Sequence, residues 1–324
     1  MDRARDDAAA ALGASREEIV FCGSGSEAVN LALLGAARRL GRSARVVTWA
    51  AEHQAVLGAV RQLALEGHPV SVLPVDREAR ADPDSIPDGA ALVSIGLANN
   101  ELGTLQPVAD VAARARQLGA LLHVDACQGL QWVAPPEADL LSVSGHKLGA
   151  GRGGLLMGKV RARLEPLLYG GPQEYGRRAG REDVAAAVAV ATALDVCAEQ
   201  RVARAADVAP LAQRLLQALV EVGGRPTGGP PCLPNFATAT FTGIRGEDLL
   251  LALDLAGIAA SSGSACASGS LDPSHVLLAA GYSLEEALGS LRLSLGYETT
   301  AQEVTSAEAI VRQVVGALAV SSRA

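Results

Sequence analysis

The sequence predicts an α/β protein of two domains, the larger built on a mostly parallel sheet that helices cover on both faces. Short apolar runs alternate with stretches of helical spacing over residues 1–200, and this alternation is typical of strands joined by helical crossovers. Of the 324 residues, 49% are apolar and 19% are charged, so the chain can bury a large core. A segment rich in Gly, Pro and Arg at 169–180 indicates a crossing between domains. We therefore expect a large domain at 1–200 and a smaller α/β domain at 201–324.

The elements of the large domain follow from the spacing of its apolar residues. A predicted strand is a short apolar run bounded by Gly, Pro or polar residues, whereas a predicted helix has apolar residues three or four positions apart. The expected strands are 18–22, 45–49, 70–73, 90–96, 120–124, 139–143 and 154–157, and the expected helices are 3–12, 28–40, 54–66 and 108–118.

The remaining chain shows the same two patterns. We expect two separate helices at 183–200 and 210–222, followed by a surface connection at 223–234 that is rich in Gly and Pro. In the small domain, the expected strands are 235–242, 257–260 and 291–295, and the expected helices are 246–255, 273–280 and 301–318.

Charge and cysteine content exclude several classes of protein. The formal charge is −7 and there is no basic block, so nucleic acid and membrane surfaces are not expected partners. The N-terminus is charged, and the most apolar stretch, 184–194, is about half as long as a membrane span. Five scattered cysteines without a CxxC pair argue against disulfides and a zinc site. We expect a cytoplasmic enzyme without a metal.

Two predicted strands end in residues that carry chemistry. One ends at Asp125, and the other at Ser144, which is followed by Gly145, His146 and Lys147. Because the carboxyl ends of parallel strands meet at one edge of a sheet, a carboxylate and an amine are expected there together. Pyridoxal phosphate needs this pair, a lysine for the Schiff base and an aspartate for the ring nitrogen. The alternative is an ordinary lysine at a strand end.

The use of lysine favours a special role for one of these residues. Among 28 basic residues the chain has two lysines, Lys147 and Lys159. A chain that otherwise uses arginine thus has a lysine directly after the predicted strand end.

Other polar residues follow strand ends at the same predicted edge. The turn 23–27, of sequence GSGSE, leads into a helix and could bind phosphate through backbone N–H groups, although plain helix capping by Ser26 and Glu27 is the commoner explanation of such a turn. His53 and Asn100 each follow a strand, and Gln128 lies three residues after Asp125. Each alone is explained by a turn or a surface position, but together they indicate one site.

Two further segments hold candidate residues. Residues 261–270 contain five Ser, two Gly and Cys266. We expect this stretch to be mobile, which favours a reactive rather than a packing role for its cysteine. In the segment at 169–180 and just after it, Arg177, Arg178 and Arg181 could meet a phosphate or carboxylate, although a solvated loop is the alternative.

Six motifs together resemble those of the cysteine desulfurases, pyridoxal phosphate enzymes of the class V aminotransferase group. They are GSGSEA at 23–28, AEH at 51–53, NNELG at 99–103, VDACQ at 124–128, SGHK at 144–147 and SSGSACASGSLDPS at 261–274. The resemblance implies a fold-type-I pyridoxal-phosphate-dependent transferase that works as a homodimer. It also implies an enzyme that takes sulfur from L-cysteine, releases L-alanine and holds the sulfur as a persulfide for an acceptor such as an iron–sulfur scaffold protein.

The resemblance also implies a role for each matched residue. Lys147 forms the Schiff base and moves protons, His53 stacks on the ring and takes part in acid–base steps, and Cys266 is the nucleophile. Asn100 and Arg292 bind the substrate carboxylate. The residues expected to hold the cofactor are Gly25, Ser26, His53, Asn100, Asp125, Gln128, Ser144, His146 and Lys147.

Two features depart from the family pattern. Family members normally begin earlier, with a strand segment and an Asn-Ala-Ala-Thr-type motif that lines the site. Arg181 stands where the family usually has a threonine that reaches the cofactor phosphate of the partner subunit. Selenocysteine lyase or another class V reaction, and a non-catalytic partner of a desulfurase, are the alternative functions.

Overall fold

The computed structural model describes residues 1–262 and 272–321. The chain forms two compact units. Unit 1 comprises Met1–Pro74, Ala81–Ala98 and Gln106–Arg201, and unit 2 comprises Val75–Arg80, Asn99–Leu105 and Val202–Ala324. The sequence interpretation kept residues 1–200 together, so it did not anticipate that two short segments of this range, one of them containing Asn100, group with the C-terminal part.

Unit 1 is built on a seven-stranded sheet with the order β1-β7-β6-β5-β4-β2-β3. β7 is antiparallel to both of its neighbours, and the other strands run in one direction. The mostly parallel sheet predicted from the sequence is therefore confirmed. The strands are β1 Ile19–Cys22, β2 Arg45–Trp49, β3 Val70–Leu73, β4 Ala90–Gly96, β5 Leu121–Asp125, β6 Leu140–Ser144 and β7 Gly154–Gly158.

Apolar runs put the central strands in the core. Every residue of β1, β5, β6 and β7 is buried, whereas the edge strand β3 is partly exposed. This pattern is expected where helices cover both faces of a parallel sheet. The helices of unit 1 are α1 Asp2–Leu12, α2 Gly25–Asn30, α3 Ala36–Leu40, α4 Gln54–Leu65, α5 Val108–Leu118 and the first half of α6 Val184–Glu221.

The helix predicted at 28–40 begins earlier and is not regular. It starts at Gly25, and a π-helical turn, Leu31–Gly35, separates α2 from α3. The carbonyl of Gly35 accepts the N–H of Glu165 at 3.0 Å, and a Cβ at Gly35 would lie 2.7 Å from the Glu165 carbonyl oxygen. The glycine thus allows another segment to approach and bond the helix backbone at the π turn. Insertion of an outside group in this way often interrupts the regular series of backbone hydrogen bonds in a helix.

The prediction of separate helices at 183–200 and 210–222 was wrong. A single helix, α6, runs over 38 residues and contains Pro210. A proline inside a helix removes one backbone hydrogen bond, but the intervening residues are mostly Ala and Arg, which favour helix. Burial of Val208 and Ala212 on either side of the proline further stabilises the continuous helix.

Unit 2 contains a three-stranded antiparallel sheet of order β10-β9-β8. Its strands are β8 Arg225–Pro226, β9 Phe236–Thr240 and β10 Ser290–Ser294, and its helices are the second half of α6, α7 Gly246–Leu255, α8 His275–Ala279, α9 Leu284–Leu288 and α10 Ala301–Ser321. β8 falls within the predicted surface connection at 223–234. α9 was missed, although its capping box, in which Ser283 and Glu286 bond each other's backbone N–H, is a recognisable sequence signal.

The strand predicted at 257–260 is absent from the described part of unit 2. Instead, the next residue, Ser261, forms an isolated bridge with Arg292 of β10. The short apolar stretch 257–260 follows α7. The backbone N–H of Ile258 caps the last turn of that helix. Bonds to the helix end therefore replace the expected strand pairing.

Among the described helices, none is both long and apolar enough to cross a membrane. Within the same ranges, no group of three or more His, Cys, Asp or Glu residues is arranged to hold a metal ion.

Candidate active site

The candidate site in unit 1 lies at the edge where its parallel strands end. β2, β4, β5 and β6 run in one direction, and β1 shares that direction because both β1 and β6 are antiparallel to β7. Side chains that follow these strands are therefore brought to one edge of the sheet. The predicted residues at this edge are Gly25, Ser26, His53, Asp125, Gln128, Ser144, His146 and Lys147.

The turns after β1, β5 and β6 are in close contact. A Cβ built on Gly25 would lie 2.5 Å from the Sγ of Cys127 and 2.9 Å from the Cβ of Ser144. A residue with a side chain therefore does not fit at Gly25 unless its neighbours move. Cys127 was not singled out from the sequence, although it stands between Asp125 and Gln128 in the VDACQ motif.

The turn 23–27 both caps a helix and offers donors. The side chain of Ser24, rather than that of Ser26, caps α2 by accepting the N–H of Glu27 at 3.1 Å. Glu27 in turn accepts the N–H of Gly23 at 2.8 Å. Gly25 and Ser26 lie in the first turn of α2, where backbone N–H groups have no acceptor within the helix and the helix dipole favours an anion.

Ser144 and His146 face each other in the turn after β6. The Oγ of Ser144 and the Nδ1 of His146 are 2.9 Å apart. Desolvation, and to a lesser extent the charge of the neighbouring Lys147, lowers the pKa of His146. Ser144 is buried, whereas His146 is exposed and Lys147 is half-buried, so the amine is within reach of a molecule bound at this edge.

His53 is held by the helix that it precedes. It is the N-cap of α4, and its Nδ1 accepts the backbone N–H of Ala55 at 3.1 Å. In the neutral ring, the other nitrogen, Nε2, therefore carries the proton and acts as a donor. The sequence folds in this way because an N-cap side chain satisfies one of the free N–H groups of the helix.

Asp125 is the last residue of β5, and its carboxylate is held in place. Its Oδ1 accepts the backbone N–H of Cys127 at 3.0 Å, and the residue is buried. Burial, reinforced by the charge of Asp125, raises the pKa of the Cys127 thiol well above its usual range. The thiol is therefore inert, and it contributes no charge to the site.

Two other buried groups near Asp125 are also kept neutral at pH 7. Burial raises the pKa of Glu52 to about 8, and the charge of Asp125 adds to this effect. Burial lowers the pKa of His123 to about 4, and both of its ring nitrogens face serine hydroxyls, Ser94 Oγ at 2.8 Å and Ser142 Oγ at 2.9 Å. Negative charge at this edge is thus concentrated on Asp125.

The donor set of this edge fits pyridoxal phosphate. A half-buried lysine, Lys147, is available for the aldehyde, and Asp125 offers a carboxylate to the protonated ring nitrogen. The first turn of α2, with Ser144 and His146 nearby in the chain's fold, offers donors to a phosphate. Gln128 lies half-buried in the turn after β5.

Two predicted residues belong to unit 2, and one lies outside the described residues. Asn100 and Arg292 contact each other, since the Nη1 of Arg292 donates to the Asn100 carbonyl at 2.6 Å. Cys266 falls in 263–271, outside the described ranges.

The three arginines predicted as phosphate or carboxylate ligands differ in their contacts. Arg178 donates to Glu27 at 3.0 Å, and Arg177 donates to the carbonyls of Glu17 and Ile19. Both side chains therefore have structural partners in unit 1. Arg181 lines a cavity of about 270 Å³ together with Arg152 and Arg178.

Comparison with known proteins identifies relatives over nearly the whole chain. The family model described as aminotransferase class-V matches residues 1–306. The cysteine desulfurase IscS of Methanosarcina thermophila is 38% identical over 324 residues, which cover 96% of this chain and 80% of that protein. A cysteine desulfurase of Nostoc is 38% identical over 327 residues, covering 96% of this chain and 81% of that one. The solved structure of a NifS-like protein superposes with a TM-score of 0.88 at 30% identity, covering 98% of this chain and 87% of its own.

Proposed function

The chain belongs to the cysteine desulfurase family of the class V aminotransferases, whose members depend on pyridoxal phosphate, and on this premise we propose how its residues take sulfur from L-cysteine. The products are L-alanine and a persulfide on an enzyme cysteine, which we assign to Cys266. The observation that supports this assignment of roles best is the grouping of Asp125, Lys147 and the turn 23–27 at one edge of the sheet.

Lys147 and Asp125 prepare the cofactor. The Lys147 amine would hold the cofactor through its aldehyde, and Asp125 would pair with the protonated ring nitrogen, whose pKa an adjacent carboxylate raises. When bound, pyridoxal phosphate supplies the electron sink for the reaction. The neighbouring Glu52 and His123 are neutral at pH 7. Neither group therefore adds a charge that would compete with Asp125 for the proton of the ring nitrogen.

The phosphate and the ring face are held by separate residues. We assign the phosphate to the N–H groups of Gly25 and Ser26 and to the side chains of Ser144 and His146. His53 would hold the ring face, and the hydrogen bond from the Ala55 N–H to its Nδ1 fixes the orientation of the imidazole. Gln128 would donate to the ring hydroxyl. Fixed donors of this kind lower the cost of reorganisation during the reaction.

We assign four residues to binding and cleavage of the substrate. Arg292 and Asn100 bind its carboxylate, since a guanidinium matches a carboxylate with two parallel hydrogen bonds. Lys147 moves protons to and from the substrate carbon. Cys266 attacks the substrate sulfur as a thiolate, and the carbon–sulfur bond of the substrate breaks. The electron pair of that bond stays with the carbon, which takes up a proton and becomes the methyl group of alanine. The sulfur remains on Cys266 as a persulfide, which passes it to an acceptor protein such as an iron–sulfur scaffold.

We also propose a homodimer. Large apolar side chains are exposed at several positions of residues 168–188, and such exposure is typical of surfaces covered by another chain. The most exposed are Tyr169, Tyr175, Val184 and Val188. Light scattering on the purified protein tests this, because a monomeric mass at micromolar concentration would contradict it.

The test of the catalytic proposal is turnover by the purified, cofactor-loaded protein. L-Cysteine should yield alanine and bound persulfide, and Cys266→Ala should lose the persulfide while keeping the visible absorbance of the cofactor. Cys232→Ala is the control, because Cys232 is an exposed free cysteine to which we assign no role. Absence of alanine from fully loaded enzyme would count against a desulfurase, and an active Cys266→Ala would favour selenocysteine lyase or another class V reaction.

A further inference from the structure

A buried carboxyl group in unit 2 lies beside the proposed carboxylate-binding arginine and has no role in the chemistry described above. Glu101 is 4% exposed and Ser274 is 1% exposed. The Oε2 of Glu101 accepts the Ser274 hydroxyl at 2.5 Å, and its Oε1 lies 4.0 Å from the Nδ1 of His275. The positive charge of Arg292 also acts on this carboxyl group.

A hydrogen bond joins the Arg292 side chain to the backbone next to Glu101. Arg292 donates from Nη1 to the carbonyl of Asn100, the residue before Glu101, at 2.6 Å. The N–H groups of Glu101 and Leu102 both donate to the side-chain oxygen of Asn99 at 2.9 Å. The turn that carries Glu101 is therefore ordered by the Asn99 side chain, and its backbone cannot move away from Arg292 without breaking the bond to Asn100.

The charge of Glu101 depends on its neighbours. Burial raises the pKa of Glu101 to about 7, while the Ser274 hydrogen bond and the charge of Arg292 act in the opposite direction. Arg292 and His275 are the cationic or ionisable groups that face Glu101 from β10 and α8. Near neutral pH the ionised form is thus stabilised by the Ser274 hydroxyl and, in addition, by the cation that we assign to the substrate.

We propose that Glu101 is a positioning residue that shares the charge of Arg292 with the substrate carboxylate and takes up one proton from solvent when that carboxylate binds. This inference rests on the proposed role of Arg292. An arriving carboxylate occupies the guanidinium and adds a negative charge nearby, and both effects favour the neutral form of Glu101. No other bond is made or broken in this step.

Protonation of Glu101 also changes its bond with Ser274. The same Ser274 hydroxyl caps α8 by accepting the N–H of Leu277 at 3.1 Å. A hydrogen bond to a carboxylate is about twice as strong as one to a neutral group. When a carboxylate binds at Arg292 and Glu101 takes up a proton, the hydrogen bond between Glu101 and Ser274, the N-cap of α8, is therefore weakened.

The sign of the pH dependence follows from proton uptake. Well below pH 7 Glu101 is already protonated in the free enzyme, so the binding of a carboxylate is accompanied by little proton uptake. Above about pH 7 binding must bring in a proton, and the affinity for a carboxylate falls as the pH rises, by up to about tenfold per pH unit.

The experiment is calorimetry of the cofactor-loaded enzyme with propionate at pH 8, in HEPES and in Tris. The dependence of the heat on buffer ionisation gives the protons taken up. The wild type should take up a substantial fraction of one proton more than Glu101→Gln, whereas His275→Asn, the matched control for the neighbouring imidazole, should resemble the wild type. Equal uptake by the wild type and Glu101→Gln would overturn the inference.

Two further measurements separate the possible failures. Propionate should not bind to Arg292→Gln, and unchanged binding there would overturn the carboxylate role of Arg292 itself and the inference with it. If Glu101→Gln does not fold, the wild type alone decides, because an affinity for propionate that is constant between pH 7 and 8.5 would exclude linked proton uptake.

Discussion

Two buried glutamates, Glu52 in unit 1 and Glu101 in unit 2, have opposite surroundings. Glu52 accepts the N–H of Gly96 at 3.0 Å and has a second carboxylate, Asp125, as its charged neighbour. Glu101 accepts a serine hydroxyl and has Arg292 as its charged neighbour. Burial raises the pKa of both, to about 8 for Glu52 and about 7 for Glu101.

The difference shows how two parts of one enzyme use the same side chain. At the sheet edge, burial keeps Glu52 neutral and a neighbour of like charge adds to this effect, so that Asp125 is left as the ionised carboxylate that we assign to the cofactor. In unit 2, burial raises the pKa of Glu101 to about 7, while the Ser274 hydrogen bond and a neighbour of opposite charge act against it, so a ligand can change its protonation near neutral pH. The first arrangement is fixed and the second responds to a ligand.

The largest effect is expected when the Lys147 amine is removed from the sheet edge of unit 1. Lys147→Ala should reduce alanine formation by on the order of 10³-fold, because a proton-transfer group of this kind contributes about 10²- to 10⁴-fold. Borohydride should no longer attach the cofactor covalently. Lys159→Ala, which changes the other lysine of the chain, should keep both activity and labelling. Peptide mapping of the reduced adduct is the measurement, and a label at Lys159 would contradict the assigned site.

The next effect tests whether the sheet edge is rigid. Gly25→Ala places a methyl group 2.5 Å from the Cys127 sulfur, and overpacking of this kind costs about 1–3 kcal/mol. We expect weaker cofactor binding, measured by absorbance titration, together with a lower melting temperature. Gly58→Ala on α4 is the control, because nothing lies within 4 Å of its added Cβ. That control should gain about 0.5–1 kcal/mol, and equal behaviour of the two variants would mean that the edge can relax.

Glu52 gives the stability of the protein a pH dependence. Its pKa is raised on folding from 4.5 to about 8, so the folded state binds the extra proton and stability falls as the pH rises through this window. The slope is at most about 1.4 kcal/mol per pH unit. Glu52→Gln lacks this proton, so its stability relative to wild type should rise between pH 5 and 8. Chemical unfolding at four pH values measures it, and parallel profiles would show that Glu52 is not buried as a neutral acid.

Much of the fold and the site could be predicted from the sequence because the relevant signals are local. Alternating apolar runs and helical stretches indicated a mostly parallel sheet, and residues at strand ends had to share one edge of it. Asp125, Ser144 and Lys147 were placed at that edge in this way, and their roles in catalysis stay a prediction. The six spaced motifs also indicated the enzyme family, which the aminotransferase class-V match and the similarity to cysteine desulfurases confirm.

Other features depended on contacts between distant segments. The pKa of Glu52 is shifted because β2, β4 and β5 are neighbours in the sheet, and this order is not written in the spacing of residues 45–125. Cys127 matters because the turns after β1 and β6 pack against it. Asn100 groups with Arg292, 192 residues away. The continuity of α6 through Pro210 likewise reflects packing that outweighs a local signal.

The sequence by itself therefore determined which chemical groups this protein has and at which strand ends they stand, since periodicity and turn residues are properties of short segments. The tertiary structure alone decided which groups are charged. Desolvation and neighbouring charge set the protonation of Glu52, Glu101 and His123, and both act through space between residues that are far apart in the chain.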